Sequence, residues 1–381
     1  MNKTETALLE LIKSSLFGVS PSFPDDVDWS EVLKEAEAQT VVSLASRAVP
    51  KEFRGAWEVR AAQSDAHFMR SLYEQTQLAA LFEKAKIPFV IIKGASAAVY
   101  YPRPSSRTMG DIDILVGNGK FDVAFELLKE NGYEFLTDYE DGRDYSFKKG
   151  GVIFELHKKY SDDRNDIENY LADGIKNAVT LELYGKTFPS LPKAENGLVL
   201  LDHIRHHLFG GLGIRQIIDF MLFVNSIPDE KEFERDFLPL FERAGLGTLA
   251  KVITKMCKKH FGLPVSAAWC DDADDATCEE LLERVFSSGN FGRKDPYEYR
   301  PAEALTMEIK KVGFFRALQN AGVENCEAFK KHKILRPFAW IYQLFRYLFR
   351  GIAALFRGKL RAKDVKSGSE KSDFYKRLGV D

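Results

Sequence analysis

The chain has 381 residues, 45% of them hydrophobic and 12% aromatic, which is enough to build two or three folded domains. Its 54 basic residues nearly balance its 56 acidic ones, so the net charge of −2 excludes a chain-wide attraction to nucleic acid or membrane. No run is apolar enough for a signal peptide or a bilayer span, and the four cysteines lack zinc-ligand spacing. The composition therefore predicts a folded cytoplasmic protein with reduced thiols.

The first 86 residues are predicted to be a helical region. Apolar residues recur there at helical spacing along Thr6–Phe17, Val32–Ala48 and Trp57–Ala85. The pattern then changes to the short apolar run Phe89–Ile92, which is bounded by a proline and a glycine. Such a run predicts a buried strand.

Residues 87–190 are predicted to form a mixed α+β core. The first strand is followed by a short helix of small residues, a second strand and a helix that ends at a glycine. Three further strand-like stretches come next, with Gly150-Gly151 as a hairpin turn. In chain order, the elements after the first strand are Gly94–Ala98, Ile112–Val116, Phe121–Asn131, Tyr133–Thr137, Tyr145–Lys149 and Val152–His157.

The rest of the chain is again predicted to be helical. Residues 191–329 form a helical domain, in which Leu198–Phe209 and Gln216–Val224 have the clearest periodicity. Residues 330–363 form a basic amphipathic helix, and residues 364–381 form a polar, loosely ordered tail.

Two aspartates, Asp111 and Asp113, open the second strand. Because side chains alternate along a strand, both point to one face while Ile112 and Ile114 point to the other. Two adjacent carboxylates repel each other, and a bound divalent cation relieves that repulsion. The pair predicts a Mg²⁺ site, with Mn²⁺ as the alternative ion. An Asp-x-Asp that arises by chance is the competing interpretation.

A third acid is needed if the site is to transfer phosphoryl groups with paired metal ions. The candidate is Glu155, which shares a strand face with Ile153 and His157. It could complete the metal site or act as a general base. An exposed glutamate on an edge strand would give the same pattern, so that alternative stays open.

Candidate phosphate-binding residues surround the aspartates. Lys93 and Gly94 stand between the first strand and the short helix, where a glycine lets the backbone approach a ligand and helix N–H groups bind phosphate oxygens. Arg107, four residues before Asp111, could bind the same phosphates in a bidentate manner. The alternative is a tight turn at Gly94 with a solvated Lys93.

Together these motifs resemble those of a known family, the bacterial uncharacterised nucleotidyltransferases, a branch of the DNA polymerase β-like superfamily. The resemblance covers most of Ile87 to Arg293. The matching runs are Lys93-Gly94, Tyr100-Tyr101-Pro102, Arg107-Thr108-Met109-Gly110-Asp111-Ile112-Asp113-Ile114-Leu115-Val116, Glu155-Leu156-His157, Asp202-His203-Ile204-Arg205-His206-His207, Arg215, Asp219 and Gly289-Asn290-Phe291-Gly292.

The resemblance implies a polymerase β-like core with N-terminal helices and a C-terminal helical domain that closes over the nucleotide or acceptor. It also implies metal-dependent transfer from an NTP, with Asp111, Asp113 and Glu155 as catalytic residues and metal ligands. The nucleotide-binding residues would be Lys93, Gly94, Ser96, Arg107 and Arg215. The chain departs from the superfamily in two places: the usual Gly-Ser is here Lys93-Gly94-Ala95-Ser96, and Glu155 stands where an aspartate is commoner.

The helical region contains further candidates for substrate contact. His203 and His207 lie one helical turn apart. Together with His157 they are interpreted as structural or substrate-contacting residues, because no third zinc ligand has convincing spacing. Arg215 and Asp219 fit a helical i,i+4 ion pair, or an arginine that helps to hold phosphate.

The segment between Glu327 and Asp364 contains no acidic residue and many basic ones. At helical spacing four arginines share one side and apolar residues the other, so residues 334–361 could lie on an anionic membrane surface. Alternatively, the apolar side packs on the protein itself. Nucleic acid is the less favoured partner, because the basic stripe is short. The four arginines are Arg346, Arg350, Arg357 and Arg361.

Two main hypotheses of function follow. The leading one is a nucleotidyltransferase that moves a nucleoside monophosphate from an NTP to an unidentified small-molecule or protein acceptor and releases pyrophosphate. The second is a catalytically silent nucleotide-binding or regulatory protein, docked peripherally at the inner face of the membrane. A toxin-like transferase acting on proteins or RNA is a third, with RNA disfavoured because the sequence lacks a distributed basic surface.

Overall fold

The computed structural model describes residues 1–138, 144–161, 165–294, 301–356 and 362–380. The chain forms two compact units, Met1–Pro296 and Tyr297–Asp381. The finer division into five regions stays a prediction. No helix in the described part of the chain is long and apolar enough to cross a bilayer. The four cysteines are free.

The first unit begins with four helices. The predicted helix over Val32–Ala48 is interrupted after Ala38, because Thr40 adopts a left-handed φ of 56° that no helix interior accommodates. Asn2 and Glu5 form a capping box at the first helix, and Asp28 caps the second. The helices are α1 (Lys3–Phe17), α2 (Trp29–Ala38), α3 (Val42–Ala45) and α4 (Arg54–Lys84).

A seven-stranded mixed sheet with three helices follows, as the predicted α+β core requires. Its strands are β1 (Phe89–Ile92), β2 (Ile112–Val116), β3 (Glu134–Asp138), β4 (Asp144–Lys149), β5 (Val152–His157), β6 (Val179–Leu183) and β7 (Lys186–Ser190), in the spatial order β3-β4-β5-β2-β1-β7-β6. The helices are α5 (Gly94–Ala98), α6 (Phe121–Glu130) and α7 (Asn165–Lys176). The predictions missed α7 and the β6–β7 hairpin. The signal that could have found the hairpin is the alternation of Val179, Leu181 and Leu183 with polar residues, followed by a glycine turn.

The two faces of the sheet differ in chemistry because strand side chains alternate. One face is apolar and packs against α4 and α6 in the main hydrophobic core. Its members on the central strands are Phe89, Ile91, Ile112, Ile114, Val116, Phe154 and Leu156. The opposite face of β2 and β5 therefore carries Asp113, Glu155 and His157.

Helices α8 (Lys193–His207) and α9 (Ile214–Asn225) come next. The predicted Leu198–Phe209 starts later than α8 and ends two residues beyond it, and Gln216–Val224 lies within α9. The Asn196 side-chain amide donates to Ser96 O at 3.1 Å, which places α8 against α5. Gly197 permits this part of α8 to lie on α9, since a Cβ there would be 2.2 Å from the Phe223 ring. The unit is completed by α10 (Glu230–Glu232), α11 (Leu238–Arg243), α12 (Gly247–Met256) and α13 (Asp275–Ser288).

The second unit is helical. It consists of α14 (Pro301–Val312), α15 (Phe314–Glu324), α16 (Glu327–Lys331), α17 (Ala339–Phe356) and α18 (Ala362–Leu378). The prediction of a loosely ordered tail is wrong for residues 364–378, because Phe374 and Leu378 bury one face of α18. The predicted basic helix corresponds to α17 and the turns before it, and Arg357 and Arg361 lie outside the described residues.

Candidate active site

A cluster of acidic residues forms where β2 and β5 run side by side. The strands are parallel neighbours, and their register sets Asp113 opposite Glu155. Asp113, Glu155 and His157 offer ligand atoms that lie within 4.8 Å of one another. Among the described residues no other group of three such side chains meets this criterion. Glu155 thus lies beside Asp113, and its role in a three-acid site stays a prediction.

Asp113 is the most strongly held member of the cluster. Its Oδ1 accepts hydrogen bonds from Lys93 Nζ at 2.7 Å and from the His157 ring nitrogen Nε2 at 2.9 Å. Burial alone would raise the pKa of Asp113, but Lys93 and His157 outweigh burial and hold this pKa well below its ordinary value. Both contacts use the same oxygen, which leaves Oδ2 available to a ligand.

Lys93 reaches Asp113 from a strained backbone. Its φ of 54° lies in the left-handed region that residues other than glycine rarely adopt. Gly94 follows with φ 28°, and a Cβ there would lie 3.3 Å from Met109 Cε, so the turn is tight. The Lys93 side chain is only 14% exposed and its Nζ lies 5.7 Å from the centre of the Tyr160 ring. The strain indicates that this lysine is positioned for a task beyond packing.

The remaining acids repel one another. Burial and the charge of Asp113 raise the pKa of Asp111. Burial together with Asp111 and Asp113 raises the pKa of Glu155 to about 7. Asp111 lies outside the tight group of three, but it lines the same cavity and is electrostatically coupled to both neighbours. The cluster therefore carries more negative charge than Lys93 and His157 neutralise.

His157 is held between two carboxylates. Its Nε2 faces Asp113, and its Nδ1 contacts Asp144 at the start of β4. Burial would lower the pKa of His157, but hydrogen bonds to Asp113 and Asp144 raise it to about 9. The ring therefore carries both protons at neutral pH and fixes the orientation of Asp113. Asp144 was not predicted, because only the pairing of β4 with β5 reveals its position.

The acids line a cavity of about 330 Å³ whose opposite wall comes from the helices. His203 and His207 share a hydrogen bond of 2.8 Å between their Nε2 atoms. Burial, Lys93 and neighbouring charges lower both pKa values, that of His207 to about 3, so these rings are neutral. Arg215 donates to Thr108 O at 2.9 Å. The helical residues of the wall are Asp202, His203, His206, His207, Arg215 and Phe291.

Arg107 and Asp219 are already joined to each other. Arg107 Nε and Nη2 donate to the two oxygens of Asp219 at 2.8 and 2.7 Å, and Tyr101 OH donates to the same carboxylate at 2.8 Å. Both charged side chains are at most 3% exposed. Among the described residues no ion pair joins Asp219 to Arg215, and Asp219 pairs with Arg107 instead, so the i,i+4 ion-pair interpretation is wrong. A phosphate role for Arg107 stays a prediction.

Ser96 also has a structural position. Its hydroxyl donates to Ile91 O at 2.6 Å and accepts from Ser190 Oγ at 2.9 Å. The residue is fully buried and is not among those that line the cavity. Ser96 therefore joins α5 to β1 and β7, and we do not propose it as a nucleotide contact.

Carboxylates on adjacent strands, beside a strained glycine turn in a mixed sheet, form the kind of site that phosphoryl-transfer enzymes use. The sequence comparison leads to a family within that class. Residues 25–262 match the family model described as uncharacterised nucleotidyltransferase. Since the match covers more than half of the sequence, the chain belongs to this family, and it is a nucleotidyltransferase.

Two solved structures show a weak similarity to parts of the chain. Antibiotic-resistance factor ANT(2'')-Ia has 10% identity and a TM-score of 0.33, covering 51% of this chain and 93% of its own. An antigenic nucleotidyltransferase-like protein from Paracoccidioides brasiliensis has 16% identity and a TM-score of 0.35, covering 53% and 96% respectively. No protein of curated function matches the sequence significantly.

Proposed function

We propose that the protein moves a nucleoside monophosphate from an NTP to a small-molecule or protein acceptor and releases pyrophosphate. One observation carries the proposal: Glu155 lies in register beside Asp113 in a cavity that also contains Asp111, Lys93 and Arg215. This arrangement combines excess negative charge for metal with positive charge for phosphate.

The chemistry of the donors fits a divalent cation. Asp113 Oδ2 and Asp111 would hold Mg²⁺, or Mn²⁺ in its place, because hard cations prefer carboxylate oxygens. The raised pKa of Glu155 is the signature of acids lacking a counter-charge. A bound cation would supply positive charge to the phosphate oxygens and the pyrophosphate. Both ring nitrogens of His157 face carboxylates, Nε2 that of Asp113 and Nδ1 that of Asp144, so we assign it to orienting Asp113 rather than to binding metal.

Lys93 and Arg215 are the proposed phosphate contacts. Lys93 approaches Asp113 at 2.7 Å, so its ammonium can bridge that carboxylate and a phosphate oxygen. Arg215 is 7% exposed and its Nε is buried without a hydrogen-bond partner in the described part of the protein. A buried N–H of this kind calls for an acceptor, and a phosphate oxygen suits it. The tight backbone at Gly94 would allow close approach.

Glu155 is the proposed proton acceptor for the attacking hydroxyl. A general base is most effective when its pKa lies near the working pH, and that of Glu155 is about 7. His157 already holds its proton, and His207 is too weak a base with a pKa of about 3. Asp113 is too weak a base as well, because Lys93 and His157 hold its pKa low.

The competing function is a silent nucleotide-binding protein of the same fold. Its sequence hypothesis required that Glu155 stand apart from the aspartates, whereas Glu155 lies in the tight group with Asp113. That contact favours the enzyme.

A transfer assay tests the proposal. The full chain is incubated with Mg²⁺, each of the four NTPs labelled at the α-phosphate, and fractionated small molecules and proteins from a cell extract. We expect label to move to a component of one fraction, and E155Q to abolish the movement. No transfer to any fraction, together with no Mg²⁺-dependent NTP binding, would overturn the proposal.

A further inference from the structure

Phe291 is both strained and exposed; among the described aromatic residues of the first unit Tyr184, in the turn between β6 and β7, shares both properties but does not line the cavity. The φ of Phe291 is 55°, a left-handed value that a bulky side chain adopts only when its surroundings impose it. Its ring is 55% exposed and lines the cavity that contains the acids. Packing gains little from such a ring, so packing does not account for the strain.

Two glycine-containing loops impose this conformation. The first, residues 210–213, follows α8, and the second, residues 289–292, follows α13. Phe291 N donates to Gly211 O at 3.0 Å, and a Cβ on Gly211 would lie 2.1 Å from Gly292 N. Asn290 Oδ1 accepts from Gln216 Nε2 at 2.6 Å. The loops therefore interlock and hold the Phe291 ring at one place at the cavity wall.

The neighbours of the ring are those of a stacking site. The Arg215 guanidinium lies 5.8 Å from the ring centre, and the His207 ring packs edge-on at 4.8 Å. His207 is neutral, so Arg215 is the cation at the ring. An exposed aromatic ring beside a guanidinium stacks flat heterocycles without requiring a particular base.

We infer that Phe291 stacks on the nucleobase of the NTP, while Arg215 links the base subsite to the phosphate subsite near Asp111. This inference rests on the proposed function and adds to it the position of the base. It gives a role to the Gly289–Gly292 motif, which the sequence singled out without assigning one.

Calorimetric titration tests the inference with two probes: Mg²⁺ with α,β-methylene ATP, and Mg²⁺ with inorganic tripolyphosphate, which has no base. We expect F291A to weaken binding of the ATP analogue by about 5- to 150-fold, the range of one base–aromatic stack, and to leave tripolyphosphate binding unchanged. F291W should retain binding, and F291L, which is apolar but not aromatic, should lose it. F53A, at a comparably exposed ring outside the cavity, is the matched control.

The outcomes separate the two claims. If the wild-type protein binds neither probe, the proposed function fails. If it binds both and F291A binds the ATP analogue equally well, the stacking inference alone fails. Equal losses for both probes in F291A would also overturn it, since they would indicate a collapsed cavity.

The melting temperature gives a second readout. F291N should melt at least as high as the wild type, because asparagine tolerates a left-handed backbone; if Phe291 were purely structural, F291N would melt at a lower temperature.

The second unit supports an independent inference. Apolar side chains along the start of α17 and the turn before it lie on one exposed surface, which we call the aromatic surface. Phe338, Tyr342 and Phe345 follow the i, i+4, i+7 spacing of one helix face. Its members and exposures are Ile334 (87%), Leu335 (40%), Phe338 (58%), Tyr342 (37%) and Phe345 (55%).

The side of α17 that faces α15 packs within the second unit. Ala339 and Gln343 are buried there, and α15 packs so closely that a Cβ on Gly322 would lie 2.1 Å from Ala339 O. The apolar side therefore does not pack wholly on its own unit. Basic side chains accompany it: Lys330 and Lys331, which pair loosely with Glu327 at 3.9 and 3.5 Å, and Arg346 beside Tyr342. From residue 328 to residue 363 the sequence has no acid.

We infer that the aromatic surface docks on an anionic lipid bilayer. Exposed rings suit the headgroup region, and a segment with lysines and arginines but no acids complements anionic lipid. The observations concern the second unit alone and do not depend on catalysis.

Vesicle co-sedimentation of the full chain tests this inference. We expect binding to vesicles that contain phosphatidylglycerol, weak binding to phosphatidylcholine alone, and loss at high salt. K330Q/K331Q should weaken binding about fivefold per lysine, and F338S/F345S about tenfold or more per ring. V59S/M69S, exposed apolar residues of α4, is the control. Equal binding by F338S/F345S would overturn the inference. The inference would also be overturned if F338S/F345S changed only the self-association of the protein in the absence of lipid.

Discussion

The first unit contains two buried groups of charges that differ in balance. In the Arg107–Asp219 pair every carboxylate oxygen has a donor, the geometry is bidentate, and both residues are almost inaccessible. In the Asp113 cluster Lys93 and His157 share one oxygen, and the pKa of Glu155 rises to about 7. Balanced charge holds the fold together, whereas unbalanced charge beside a cavity is available for chemistry.

The largest expected effect separates the two groups by activity. E155Q should lower the rate of nucleotide transfer by about 10²- to 10⁴-fold, the usual contribution of a general base, without lowering thermal stability. E134Q, at an exposed glutamate on β3 of the same sheet, is the control and should leave the rate unchanged. The measurement is label transfer under single-turnover conditions. A transfer rate in E155Q within about tenfold of the wild-type rate would remove Glu155 from the mechanism.

The second prediction separates the groups by stability. R107Q removes the ion-pair partner of the buried Asp219 and leaves the Tyr101 hydroxyl as its donor, so we expect the free energy of unfolding to fall by about 3–5 kcal/mol. The double variant R107M/D219L should recover much of the loss, because an apolar pair carries no desolvation cost. Denaturant titration followed by circular dichroism measures both. A loss in the double variant as large as in R107Q would show that the ion pair itself stabilises the fold.

The acidic cluster and the Arg107–Asp219 pair differ in how far the sequence alone could predict them. Strand alternation predicted that Asp111 and Asp113 share a face and that Glu155 could join them, because this is local geometry. The partnership of Arg107 and Asp219 spans 112 residues, so no local pattern contains it. No local pattern predicts the positions of Asp144 and Phe291 at the site either, because contacts with residues distant in sequence place them there. The β6–β7 hairpin was missed although a local signal was present: Val179, Leu181 and Leu183 alternate with polar residues before the turn at Gly185.

His157 should show an intermediate effect. H157Q removes the group that orients Asp113, and we expect transfer to slow by about 10- to 100-fold, as when a residue behind a metal ligand is lost. Its folded pKa is about 9, above the ordinary 6.5, so its contribution to stability is full below pH 6.5 and disappears as the pH rises through 9. Melting curves should therefore show a cost of H157Q at pH 6 that vanishes near pH 10. A cost independent of pH would contradict the ionic role.

The smallest effect is on the pH dependence of the metal-free protein. The folded pKa of Glu155 is about 7 against an ordinary 4.5, so the folded state loses stability as pH rises between these values. Because the glutamine of E155Q cannot ionise, the folded variant does not lose stability over this pH range. Its melting temperature should exceed that of the wild type at pH 8 and equal it at pH 4.5. The opposite trend would mean that Glu155 is stabilised as an anion.

The most direct test of the central claim is electron paramagnetic resonance titration of Mn²⁺ into the protein with and without a non-hydrolysable NTP. The account predicts that the wild-type protein binds Mn²⁺ more tightly when the nucleotide is present, and that D111N/D113N loses this binding while keeping its circular dichroism spectrum. Equal Mn²⁺ binding by the double variant, or no effect of the nucleotide on the wild type, would contradict a site in which cation and triphosphate meet at these acids.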